Sequence, residues 1–422
     1  MSRYIILGFA LLLLLTSCGG GGSNVPSYSR RANRRPVVVR PVTPEITMQY
    51  SFYASGDSLY LILKFEDVQK VVDVQQTAFA LEYDVKPGSA ASATPVWSDS
   101  LGVTNWAARG ADGGLFVNLA LPKQVVQEPN MISMRIWQRF AGQERMGTKF
   151  NLLLTSAMLE KDYLVVMADS EQPLINNYVT VNDKLLVRHY GAQSDSVQES
   201  LTVHFFDTDF APALPPMSMR QEPGPRTLAV SDILSFPSND TITFDREGVY
   251  LIDPNASYSK SILVKKWSYP LVTMSDEMLQ PLIYLTTSAE REALYNAKDT
   301  KEAIDNFWLK IADNESIARG IIRTFYSRVE TANRQFTSHK AGWATDKGMI
   351  YIIYGRPNDI SRVGPNEAWI YRESETSPYV KFVFTKKENN FTENHYELVR
   401  RREYEENWYS TVAKWRAGIT DM

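Results

Sequence analysis

Four residues in the last third of the 422-residue chain carry side chains that could do chemistry together: His339, Asp346, Arg356 and Glu367. An acid, a base and a cation gathered in one cleft could bind a polar ligand or hydrolyse a bond. The competing reading is structural. Charged clusters also arise as ion-pair networks, and Arg356 paired with Asp346 would pin two turns. Trp343 stands in the same stretch as a large anchor, and Trp369, Trp408 and Trp415 cluster in the last region. Exposed, these indoles would stack on sugar rings or grip a partner; buried, they are core and need no further role. We therefore take Asp346, His339 and Glu367 as weak catalytic candidates, and Trp343, Asp346, Arg356 and Trp369 as binding candidates.

Other chemistries lack their signatures. The four histidines are His189, His204, His339 and His395, and no two lie at helical metal-binding spacing. Asp207-Thr208-Asp209 could begin a calcium loop, but the rest of such a loop is absent. There is no G-x-S-x-G elbow and no phosphate-binding glycine loop. No metal and no cofactor is expected. A net charge of -3 argues against a nucleic-acid partner.

The elements that must position these residues fall into three regions. Residues 45–155 alternate apolar and polar positions, as in Leu59, Leu61, Leu63 and Phe65, and in Phe79, Leu81, Tyr83 and Val85. Period two marks strands with one buried face, and Gly56-Asp57, Pro87-Gly88 and Pro129-Asn130 punctuate them as turns. Residues 156–269 repeat this texture, with a proline-rich loop from Pro212 to Pro225. Two antiparallel, immunoglobulin-like β-sandwiches are expected. At Pro270 the pattern changes. Thr287 with Glu290, and Asp299 with Glu302, have the spacing of helix caps. Ile304, Phe307, Trp308 and Ile311 fall at i, i+3, i+4 and i+7. Strands are expected at Met349–Tyr354, Ala368–Tyr371, Val380–Thr385 and Tyr396–Arg400, with a closing helix from Glu403 to Trp415. Residues 270–422 thus read as an α+β domain, and the whole as multidomain.

The N-terminus has a different character. Arg3 precedes an apolar run from Tyr4 to Leu15, and Leu15-Thr16-Ser17 leads to Cys18, the single cysteine. This layout resembles a bacterial lipoprotein signal, with residues 1–17 removed and Cys18 carrying palmitate-type acyl chains. One cysteine permits no internal disulfide. Residues 18–44 then read as a flexible tether, with Gly19–Gly22 followed by Arg30, Arg31, Arg34, Arg35 and Arg40 among prolines. Such a basic arm near a lipid anchor is suited to headgroup contact, or is simply a solvated linker.

The helices of the last region lead into Gly342-Trp343-Ala344-Thr345-Asp346, then Lys347-Gly348, Gly355-Arg356-Pro357 and Glu367-Ala368-Trp369-Ile370-Tyr371. With Pro281-Leu282-Ile283-Tyr284, Asn306-Phe307-Trp308, Arg328, Ala332-Asn333 and Phe336 upstream, this order resembles the GWxTD domain of exported Bacteroidetes proteins, over about residues 270–422. The resemblance implies a location in the cell envelope and supplies no mechanism. Asp57-Ser58-Leu59, Asp99-Ser100-Leu101, Asp195-Ser196-Val197 and Asp240-Thr241-Ile242 also resemble the O-glycosylation acceptor of that group, which makes a glycan an additional expectation. Surface-directed lipoproteins of the group tend to carry acidic residues after the cysteine. Gly19–Gly22 departs from that and implies the periplasmic face of the outer membrane. The resulting expectation is a lipid-anchored, non-enzymatic scaffold or secretion accessory with an outer-membrane or periplasmic protein partner. The alternative is a polysaccharide-binding protein or hydrolase built on Asp346 and Arg356.

Overall fold

The structure, a computed structural model, describes residues 46–67, 72–88, 93–102, 114–140, 145–190, 200–207, 209–219, 225–237, 240–256, 258–266, 268–312, 314–363, 365–372, 378–392 and 394–419. The first region is a sandwich. Its elements are β1 (Ile46–Ser55), β2 (Ser58–Asp67), a single helical turn α1 (Val74–Thr77), β3 (Ala78–Pro87), β4 (Trp97–Gly102), β5 (Leu115–Pro122), β6 (Asn130–Gln138) and β7 (Met146–Leu154). The antiparallel sheets β1-β2-β5 and β4-β3-β6-β7 face each other across one core. Leu59, Leu61, Leu63 and Phe65 point into it from β2, as their period-two spacing requires.

The second region contains β8 (Tyr163–Met167), β9 (Tyr178–Thr180), β10 (Leu185–His189), β11 (Ser200–Phe206), β12 (Asp232–Pro237), β13 (Gly248–Ile252) and β14 (Lys260–Lys265). The pair β10-β8 closes over a five-stranded sheet ordered β12-β11-β13-β14-β9. The two strand sets share the expected sandwich core. One pairing departs from the antiparallel expectation, because the three-residue β9 runs parallel to β14. A short edge strand that arrives through a loop needs no hairpin and is free to take either direction.

The third region is α+β. Helices α2 (Ser275–Leu279), α3 (Ser288–Tyr295), α4 (Thr300–Ile311), α5 (Glu315–Phe336) and α6 (Asp346–Tyr354) are followed by β15 (Asp359–Val363), β16 (Asn366–Arg372), β17 (Tyr379–Lys386) and β18 (Tyr396–Leu398), then α7 (Glu405–Arg416). The four strands form one antiparallel sheet in chain order. Both expected caps are present: the Thr287 and Glu290 side chains each bond the other's backbone, and Asp299 accepts from the Glu302 amide.

The largest departure from sequence expectation is α6. Met349–Tyr354, expected as a central strand, is helical. Every residue of α6 except Lys347 is buried, so no polar face betrays its period. Six successive apolar residues fit a buried helix as well as a buried strand. The deciding signal is local. Thr345 caps the helix, its hydroxyl accepting from the Gly348 amide at 3.0 Å, and Asp346 stands in the first turn beside the positive helix end.

The regions pack against one another. Ile62 and Phe116 of the first sandwich share a cluster with Leu164, Val166 and Ile175 of the second. Phe206, Val249, Leu251 and Leu263 of the second enclose Phe391 of the third. Gln335, near the end of α5, donates to Glu66 of β2 at 2.8 Å.

Candidate functional site

The Gly342–Asp346 segment joins α5 to α6 by burying itself between them. Gly342 lies so close to α5 that a Cβ there would stand 1.9 Å from the Ala332 carbonyl oxygen. Gly348 in turn would place a Cβ 1.8 Å from the Gly342 carbonyl oxygen. Only glycine allows these two backbone approaches. The Trp343 amide donates to Asn333 Oδ1 at 3.0 Å, and its carbonyl accepts the Tyr284 hydroxyl at 3.1 Å. Thr345 donates its hydroxyl to the Gly342 carbonyl at 2.8 Å while capping α6.

Asp346 is 8 % exposed and fully engaged. Its Oδ1 lies 2.5 Å from Arg400 Nη2, and its Oδ2 accepts from Arg400 Nη1 at 3.2 Å and from the Leu398 amide at 2.7 Å. The bidentate fork is the strong form of a charge-assisted bond, and it stitches α6 to β18. Arg356, the partner expected from sequence, follows the other end of the helix. The eight helical steps from Asp346 to Tyr354 alone put about 12 Å between the two ends. Arg356 is exposed, and it is Arg400, fifty-four positions from Asp346, that fills the role.

The remaining candidates divide similarly. Glu367 is buried on β16, where its Oε1 accepts the Trp369 indole N–H at 2.7 Å and lies 3.2 Å from Lys347 Nζ. Residues two apart on a strand share a face, so this contact follows from the register. Trp369 is 1 % exposed and packs on Phe336 and Phe384. Trp343 is buried too. Neither indole offers a stacking platform. Cys18, the 18–44 tether, Asp195-Ser196-Val197 and Thr208 lie outside the described residues.

His339 does meet Asp346, across a cavity of about 60 Å³ lined also by Ser338, Lys340, Lys347 and His395. Sequence reading singled out His339 and passed over its neighbour His395. Their rings are 4.6 Å apart, and Phe210 and Phe391 stand edge-on to His339 at 4.4 and 5.1 Å. Burial, then the facing His395 and Lys340, hold His339 well below the ordinary histidine range. Burial also lowers His395, against the opposing pull of Glu397. Lys340 is lowered by burial as well. Among the described residues, no group of three or more His, Cys, Asp or Glu side chains is arranged to hold a metal ion.

These depressed histidines fix a pH dependence. The unfolded chain takes up protons from about pH 6.5 downward, while the folded chain resists until its lower values are reached. Stability is therefore expected to be complete above that point and to decline as the pH falls below it, by up to about 1.4 kcal/mol per pH unit per histidine. Urea unfolding at pH 7.5, 6.5 and 5.5 in chloride buffer checks this. His339→Phe should flatten part of the slope.

Residues 248–417 match the family model of the GWxTD domain. The chain carries a GWxTD domain. The match begins at Gly248, the first residue of β13, rather than near Pro270 as the sequence suggested. Packing gives a reason. Strands β13 and β14 carry the Val249, Leu251 and Leu263 side chains that enclose Phe391, and Ser261 bonds Thr392 at 2.8 Å in a buried contact. The last two strands of the second sandwich thus form the bed for Phe391 and Thr392 of the matched region. No curated protein matches the chain. Among solved structures, a Salmonella alpha-2-macroglobulin mutant matches at a TM-score of 0.18 and 8 % identity, over 53 % of this chain and 17 % of that one. The chain therefore spans less than a fifth of that protein's length.

Proposed function

We propose that this protein is a lipid-anchored, non-enzymatic component of the bacterial outer membrane, held through Cys18 on the periplasmic side. In this reading it acts as a scaffold or as an assembly or secretion accessory through protein–protein contacts. The observation that carries the reading is the state of Asp346. A carboxylate whose oxygens are filled by a guanidinium fork and a backbone amide is poorly placed to take a proton from substrate. The acidic residue of the signature is thus engaged in holding the fold together. The lipoprotein-like start at Cys18 and the resemblance to exported Bacteroidetes proteins support the envelope location.

The hydrolase alternative needs Asp346 and Arg356 side by side, and they occupy opposite ends of α6. For the polysaccharide alternative, the indoles of Trp343, Trp369, Trp408 and Trp415 are buried and offer no stacking face. The direct test is mild crosslinking of the tagged, acylated protein in its native host, followed by purification and mass spectrometry. Recovery of one outer-membrane or periplasmic protein at near-stoichiometric yield is expected. A clean monomer, with no specific partner across repeated preparations, would contradict the scaffold reading.

A further inference from the structure

The cavity beside the signature contains a group that the fold leaves unpaid. His395 is 9 % exposed, and its Nδ1 has no hydrogen-bond partner among the described residues. A buried polar nitrogen in that state is unfavourable unless something completes it. Its other nitrogen, Nε2, faces Glu397 Oε1 at 3.6 Å.

The charges around this nitrogen are uneven. Asp346 lines the wall, but Arg400 matches its charge. Lys347 also lines it, and Glu367 matches that charge at 3.2 Å. Lys340 has no such counter-ion among the described residues: its Nζ donates to the Ala211 carbonyl at 2.9 Å and makes no ion pair. The start of α6, with its cap Thr345 followed by Asp346 and Lys347, forms a further wall and adds the partial positive charge of a helix start. Ser338 supplies a hydroxyl. The lining therefore combines one surplus cation, one orphaned imidazole nitrogen and a helix N-terminus. The volume of about 60 Å³ exceeds several-fold the roughly 10–15 Å³ that one water requires. It suits a group of four or five heavy atoms.

We propose that this cavity binds a small oxyanion, a carboxylate or a phosphate-type group, with His395 Nδ1–H and Lys340 Nζ as its donors. The inference stands apart from the scaffold reading, since it assigns a ligand site and requires no protein partner. An anion at Nδ1 favours the doubly protonated imidazole, whose Nε2–H then points at Glu397. The charged and titratable groups facing His395 are His339 and Lys340 from the α5–α6 loop, Asp346 from α6, Glu397 from β18, and Lys387 just beyond β17. Without the anion, burial favours the neutral ring. Binding therefore takes up a proton and tightens as the pH falls.

Thermal unfolding of the full chain tests this, with sulfate and acetate titrated against chloride at fixed ionic strength, at pH 5.5 and pH 8. Sulfate stands for the phosphate class and keeps its charge across this range; acetate stands for the carboxylate class. The expected result is a saturable rise in Tm with at least one of them, half-saturating at a concentration about fivefold or more higher at pH 8 than at pH 5.5. Saturation by sulfate alone assigns a phosphate-type group, and saturation by acetate alone a carboxylate. His395→Phe should remove the saturable part, and so should Lys340→Met, which keeps the result readable if the first variant fails to fold. A linear, unsaturable rise shared by wild type and variants is the general exclusion effect of such salts and would overturn the proposal. So would a saturable response with no pH dependence.

Discussion

Gly348→Ala should prevent the GWxTD domain from folding. The new Cβ would stand 1.8 Å from the Gly342 carbonyl oxygen, and 3.1 Å from the Thr345 hydroxyl that caps the same helix. The first obstacle is backbone and cannot rotate aside. Ordinary overpacking costs about 1–3 kcal/mol because side chains yield. Here the α5–α6 junction itself must open, which sets the cost against the whole of a typical stability of about 5–15 kcal/mol. Gly342→Ala should act likewise, through its 1.9 Å approach to the Ala332 carbonyl oxygen. Gly320 provides the contrast. It sits in the exposed interior of α5 with nothing within 4 Å of an added Cβ, so Gly320→Ala should stabilise the chain by about 0.5–1 kcal/mol. Circular dichroism and limited proteolysis of the three full-length variants separate these outcomes. Two unfolded glycine variants beside a stabilised third would show that the signature glycines are there for close approach.

Asp346→Asn should destabilise the protein by about 3–5 kcal/mol, because it leaves the Arg400 guanidinium buried without its counter-charge. The Arg400 and Asp346 side chains are only 6 % and 9 % exposed, so solvent cannot take the place of the lost partner. The isosteric amide still offers one oxygen to the Leu398 N–H, which should preserve the fold while weakening it. Arg356→Gln, by comparison, should fall within about 0.5 kcal/mol of wild type, as exposed substitutions usually do. Denaturant unfolding of both variants distinguishes Arg400 from Arg356 as the partner of Asp346. It does so without any assumption about what the protein binds.

Much of the scaffold was legible in the chain. Alternation marked β2 and β3, and the helix caps at Thr287 and Asp299 stood where their spacing placed them. These features are local, since a strand face or a cap is decided within three or four residues. Met349–Tyr354 was misread because burial on every side erases the polar face that separates period 3.6 from period two. Thr345-Asp346 held the cue, as a cap with an acid in the first turn, and Gly348 fitted the same turn. The partner of Asp346 was not legible at all. Arg400 lies two residues beyond a short strand and carries no pattern of its own, so the pairing exists only once β18 lies along α6. His395 was invisible for the same reason. A lone histidine after an asparagine-rich loop looks like solvent-facing polarity until Phe391 anchors that loop in the bed of β13 and β14. Trp343 and Trp369 were ambiguous by type alone, and their burial resolved them as core.

The account rests on the signature acting as a structural latch in which Asp346 and Arg400 are one unit. A double-mutant cycle on the full chain, using Asp346→Asn, Arg400→Gln and the pair, measures that directly by urea unfolding at pH 7.5. The latch predicts a coupling free energy of about 2–3 kcal/mol, with the double variant little worse than either single one. Coupling within about 0.5 kcal/mol, together with an Asp346→Asn protein as stable as wild type, would contradict it and return Asp346 to the role of an exposed functional acid.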